Sequence, residues 1–112
     1  MNKDFYQSIY DLVKLIPKGK VCSYGLIARS LGSPQSSRVV GYAMNKSLLA
    51  DATIPAHRVV NRLGILSGKH HFATETQMQE LLEAEGHTII DDQIQNFKRV
   101  LWNPMEEIEL LV

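Results

Sequence analysis

Phe5, Ile9, Leu12, Val13 and Ile16 recur at helical spacing and Pro17 stops the run, so residues 4–16 read as an amphipathic helix with one core face. Tyr6 and Tyr10 flank that face. Lys18-Gly19-Lys20 makes a turn and Val21-Cys22 a short strand, before Ser23 caps a helix over Tyr24 to Leu31 that Gly32 ends. Ser33-Pro34, an N-cap followed by proline at the first helical position, predicts a second helix running to about Asn45. Two helices joined by a short Gly-containing connection form a helix-turn-helix. The second has Ser36, Ser37, Arg38 and Tyr42 as polar positions and Val39, Val40, Ala43 and Met44 as apolar ones, the pattern of a recognition helix.

Beyond it, Leu48 to Thr53 reads as loop. Ile54 to Asn61, Arg62-Leu63-Gly64 and Ile65-Leu66 suggest a β-hairpin with a Gly-containing turn, which completes a winged-helix plan. Thr74 with Gln77 is a capping-box pattern, and Met78, Leu81 and Leu82 give the apolar face of a helix to Glu85 closed by Gly86. Ile89-Ile90 reads as strand and Gln93 to Trp102 as helical. The expected fold is mostly α with a small β-hairpin, a winged helix-turn-helix DNA-binding domain spanning residues 1–112 as one unit.

Composition agrees with one small globular domain: 112 residues, 45% hydrophobic and 21% charged. Taken whole, the formal net charge of zero argues against a nucleic-acid partner. It is a cancellation. Residues 1–70 hold ten basic and three acidic side chains, whereas residues 71–112 hold two and nine. A sign asymmetry of this kind points to a polyanion partner. The single cysteine, Cys22, forms no internal disulfide, and four scattered histidines give no standard zinc spacing. His70-His71 reads as a solvated loop pair. No stretch has the length or apolarity of a signal peptide or membrane span, so a cytoplasmic, monomeric protein without cofactor or metal is expected.

Ile54-Pro55-Ala56-His57-Arg58-Val59-Val60 resembles the active-site signature of the O6-alkylguanine-DNA alkyltransferases, in which a nucleophilic cysteine stands where Ala56 stands here. Pro17 to Val21 with Ser23-Tyr24 resembles the approach to that family's helix-turn-helix, Arg38 to Met44 its recognition helix, and Leu81 to His87 its closing helix. Leu101-Trp102-Asn103-Pro104 is similar to the ending of the alkyltransferase-like proteins, the non-enzymatic relatives that bind alkylated guanine and hand it to nucleotide excision repair. Alkyl transfer to protein needs a soft nucleophile, and a methyl side chain has no lone pair. The resemblance therefore implies a binder of O6-alkylguanine in duplex DNA rather than an enzyme.

The same resemblance implies roles residue by residue. Arg38 is the finger that fills the gap left by the extruded base, and Tyr24 sits against the phosphate 3′ of the lesion. Ser36, Ser37, Lys46 and Arg58 join them on the DNA. Tyr24, Pro55, Ala56, His57, Val59, Ser67 and Glu85 form the lesion pocket, with His57 and Glu85 at the positions of the enzymes' base and orienting carboxylate. A His-Glu hydrogen bond there rigidifies a pocket floor. The small Ala56 leaves room beside O6, so bulky alkyl groups should be tolerated.

Other readings stay open on sequence alone. One is an inactivated alkyltransferase domain, and another is a winged-helix regulator with no lesion pocket. A third is an enzyme acting through Cys22, although a cysteine between Val21 and Ser23 reads as a small buried hydrophobe.

Overall fold

The computed structural model describes residues 3–108. Helix α1 (Lys3–Lys14) buries Ile9, Leu12 and Val13 on the face set by their spacing, with Tyr10 beside them. It stops two residues short of the predicted end. Leu15 and Ile16 close it with tight bonds to Leu12 (3.0 Å) and Val13 (3.1 Å), because Pro17 disfavours helical backbone just before it. Strand β1 (Cys22–Ser23) leads directly into α2 (Tyr24–Ser30), and the Ser23 hydroxyl accepts the Leu26 amide at 3.2 Å as the predicted cap. Gly32 takes φ +77°, and the Ser33 amide reaches back to the Ala28 carbonyl at 3.0 Å to end the helix as expected.

Helix α3 (Ser37–Asn45) starts later than Ser33-Pro34 predicted. The Ser33 hydroxyl lies 2.6 Å from the Ser36 hydroxyl, and the Ser36 amide donates to the Ser33 carbonyl. That turn precedes the helix and makes Ser36 the cap position. The segment expected as loop contains a one-turn helix, α4 (Ser47–Ala50), whose buried Ser47 hydroxyl donates to the Met44 carbonyl at 2.8 Å.

The expected hairpin over residues 54–66 does not form as a ladder. Strand β2 (Val59–Val60), which follows a 3₁₀ turn at Ala56–Arg58, pairs in parallel with β1 instead, Cys22 opposite Val59 and Ser23 opposite Val60. Both valines are buried on arrival, and pairing with β1 gives them two core faces rather than one. The predicted turn is present, with Asn61 Oδ1 accepting the Leu63 and Ile65 amides at 2.9 Å each. Among the described residues the hairpin lies further on, where β3 (Ile89–Ile90) and β4 (Gln93–Ile94) pair antiparallel.

Helix α5 (Gln77–Ala84) ends at Glu85 and Gly86 (φ +98°) as expected, but its start differs from the capping box. Gln77 Oε1 accepts the Ala73 amide, while the Thr76 hydroxyl bonds Glu80 at 2.7 Å. Between Gln93 and Trp102 only Phe97–Val100 is helical (α6), so the helix predicted there shrinks to one turn. Leu101 then bridges Val21 in parallel, and Asn103 caps α7 (Pro104–Glu107).

Two apolar clusters result. One holds α1, α2 and α3 with Cys22, Ile54, Ala56, Val59 and Trp102. The other holds Val21, Val60, Leu66, Met78, Leu82, Ile89 and Ile94. Phe72 packs against both.

Candidate nucleic-acid interface

The segment Pro55 to Val60 runs along the seam between the two clusters. A cleft opens there, lined by Tyr24, Met44, Asn45, Leu48, Ala56, Val59, Gly68, His71, Phe72 and Met78. Ala56 is 92% buried at its floor, where the 3₁₀ turn begins. Tyr24 hangs over the cleft from the first residue of α2. Its phenol is raised above its ordinary pKa by burial, with a hydrogen bond from the Ser67 side chain opposing. Gly68 lets the Tyr24 hydroxyl come this close, since a Cβ there would stand 2.9 Å from it.

A second, shallower cavity adjoins the first on the outer side, lined by Tyr24, Ser37, Arg38, Gly41, Tyr42, Asn45, Ser67, Gly68 and His71. Arg38 is exposed at the start of α3. Arg38, Tyr42 and Asn45 share one helical face, so their spacing carried a signal for Asn45 that sequence reading did not use. A third cavity lies beyond Ala56 and is lined by Leu48, Ile54, Pro55, His57, Phe72 and Leu81 among others. Ala56, Leu48 and Phe72 form the wall between it and the Tyr24 cleft.

Beneath the cleft, His57 Nε2 lies 2.9 Å from Glu85 Oε2. Arg58 grips the same carboxylate from Nε (3.0 and 3.3 Å) and Nη2 (2.8 Å), and its Nη1 donates to the Ile16 carbonyl at 2.8 Å. Burial pushes the Glu85 carboxyl up, and the hydrogen bonds from Arg58 and His57 outweigh it, holding the group at about 2. His87 is also buried, with Nε2 unpartnered among the described residues, and burial lowers its pKa.

The structure therefore brings Tyr24, Ala56, Val59 and Ser67 around the paired cavities, with Pro55 and His57 on the far side of Ala56 and Glu85 below. Ser37 and Arg38 stand on the rim. Lys46 follows the opposite, C-terminal end of α3, its ammonium 5.9 Å from the Tyr6 ring centroid. Two residues expected on DNA are engaged inside instead. The Ser36 side chain is buried against Ser33, and the Arg58 guanidinium is spent on Glu85 and Ile16. Cys22 is fully buried in the core, its thiol pushed up to about 12 by burial. His71 lines both the cleft and its outer neighbour, a position its place in a polar stretch did not reveal. Among the described residues, no group of three or more His, Cys, Asp or Glu side chains is placed to hold a metal ion, and no helix is long and apolar enough to cross a membrane.

The family described as the DNA-binding domain of 6-O-methylguanine DNA methyltransferase matches residues 4–87. Over 105 residues the chain is 39% identical to alkyltransferase-like protein 1 of Schizosaccharomyces pombe, covering 90% of this chain and 96% of that protein. The chain belongs to this family, as an alkyltransferase-like member. The alkyltransferase-like chain is also 39% identical over 101 residues to a DNA base-flipping protein of Escherichia coli, covering 88% of this chain and 74% of that one. It superposes on S. pombe Atl1 in complex with damaged DNA containing O6-carboxymethylguanine with a TM-score of 0.82 at 38% identity, covering 93% of this chain and 99% of that one.

Proposed function

We propose that this protein binds O6-alkylguanine in duplex DNA by extruding the damaged base, transfers no alkyl group, and marks the site for nucleotide excision repair. The observation that carries the reading is Ala56. It lines the cleft beneath Tyr24, and the resemblance of Pro55 to Val60 to the alkyltransferase signature puts it where those enzymes need a thiolate, whereas a methyl group accepts no alkyl group. Cys22 offers no substitute, because a buried thiol with a raised pKa is neither accessible nor ionised.

In this reading α3 lies along the groove and Arg38 enters the stack in place of the extruded base. Tyr24 supports the rotated nucleotide's phosphate, Ser37 and Lys46 add backbone contacts, and the base enters the cleft toward Ala56 and Val59. Extrusion costs a few kcal/mol, less for a damaged and weakly paired base, so the lesion contributes to its own selection. The His57–Glu85–Arg58 network keeps the floor fixed. Ala56 presents only a methyl group to the cleft beside the O6 substituent, which supports tolerance of bulky adducts.

The test is binding to matched duplexes with guanine, O6-methylguanine or O6-benzylguanine, followed by intact-protein mass measurement. The expected result is lesion preference, similar affinity for both adducts and an unchanged protein mass. Overall affinity should fall steeply with salt while the lesion preference persists. A mass gain of one methylene, or no lesion preference at any salt, overturns the reading. Equal loss on all duplexes in Arg38→Ala would favour a plain winged-helix regulator instead.

A further inference from the structure

We propose that His71 is a specificity-determining residue that hydrogen-bonds the extruded base, an inference that rests on the lesion-binding reading above. The 3₁₀ turn Lys69–His71 carries three consecutive basic side chains. Lys69 Nζ is paired with Asp92 at 2.7 Å, and His70 Nδ1 with Glu75 at 3.4 Å. The imidazole of His71 has no partner among the described residues. His71 lines both of the cavities that share Tyr24, Asn45 and Gly68, so a nucleotide passing from the rim into the cleft passes it.

The turn is held in place. The His71 amide donates to the Gly68 carbonyl at 3.1 Å and the Phe72 amide to the Lys69 carbonyl at 3.3 Å, while the Phe72 ring packs against both apolar clusters. No carboxylate among the described residues lines either cavity, so nothing in the protein competes for the imidazole. The other titratable groups facing it there are the Tyr24 and Tyr42 phenols and the Arg38 guanidinium. An imidazole presents a ring N–H donor, and a purine edge presents the N7 and O6 acceptors. A contact of this kind exists only when the base is out of the helix. It therefore adds to lesion binding and not to binding of undamaged duplex.

The experiment compares unsubstituted protein with His71→Ala, His71→Gln and, as the neighbouring control, His70→Ala, on duplexes with and without O6-methylguanine across a salt series. The exposed imidazole carries no packing role, and thermal melts verify the fold. The expected result is a roughly fivefold loss of the lesion-to-undamaged ratio in His71→Ala. His71→Gln should recover part of it, and His70→Ala should match the parent. An unchanged ratio in His71→Ala overturns the proposal. So does an equal loss on both duplexes with a salt slope reduced by about one, which would make His71 an ordinary phosphate contact. Lesion preference in the parent separates these failures from a failure of the lesion-binding reading, whose absence in the parent overturns both.

Discussion

Arg58 stands in a motif that suggested a phosphate contact, and its guanidinium is instead the clamp on Glu85. The Glu85 side chain is 10% exposed, so without Arg58 it would keep a buried charge with His57 as its remaining partner. Arg58→Ala should therefore destabilise the protein by about 3 kcal/mol in urea unfolding, and Arg58→Lys should recover only part, since an ammonium lacks the guanidinium fork. The pH dependence follows from the same pair. Glu85 titrates at about 2 in the folded protein against an ordinary 4.5, so its contribution is present above about 4.5 and lost as pH falls toward 2. The urea midpoint should drop across that window in the parent and less in Arg58→Ala. Sequence reading placed His57 and Glu85 together because the alkyltransferase resemblance covers both the Pro55 to Val60 segment and the Leu81 to His87 segment. It missed what Arg58 does because a contact 27 residues along the chain leaves no local mark.

At the scale of elements, signals contained within one turn were legible. Ser23 caps α2, and Gly32 and Gly86 end helices, because each needs only its own neighbours. Ser33 failed as a cap for a related reason: the nearest hydroxyl, Ser36, captured its side chain. The hairpin failed differently. Alternating apolar residues fix which face of Val59 and Val60 is buried but not which strand they meet, and β1 offered the buried edge. Gly64 was read correctly as a turn residue, and the structure adds a second constraint. It adopts φ +79°, and a Cβ there would lie 3.1 Å from Phe97 Cγ. Gly64→Ala should cost about 1–2 kcal/mol from its left-handed backbone alone, with the ring displacement on top. Gly41→Ala, inside α3 with open space at its Cβ, should stabilise by about 0.5–1 kcal/mol. Paired thermal melts of the two variants should move in opposite directions.

For the molecule as a whole, net charge misleads and its distribution does not. The basic two-thirds of the chain supplies Arg38, Lys46 and the Ala56 floor, while the acidic third supplies Glu85 and partners such as Asp92 for its basic neighbours. The cleft exists because two clusters meet imperfectly along the Pro55–Val60 segment, a property no single stretch of sequence encodes. Val21 joins the distant parts. Its amide donates to the Val100 carbonyl at 3.0 Å and its carbonyl accepts the Trp102 amide at 2.7 Å, beside a Lys20–Arg99 contact spanning 79 residues. Closing so long a loop loses chain entropy before any contact compensates, so this junction cannot form ahead of the rest. Native-state hydrogen exchange should find the Val21 and Trp102 amides opening only with global unfolding, while the short α4 exchanges through local fraying. Because Val21 leads into the strand that holds Val59 and Val60 in register and delivers Tyr24 to the start of α2, a growing polypeptide cannot present a finished cleft until the segment around Trp102 has been made.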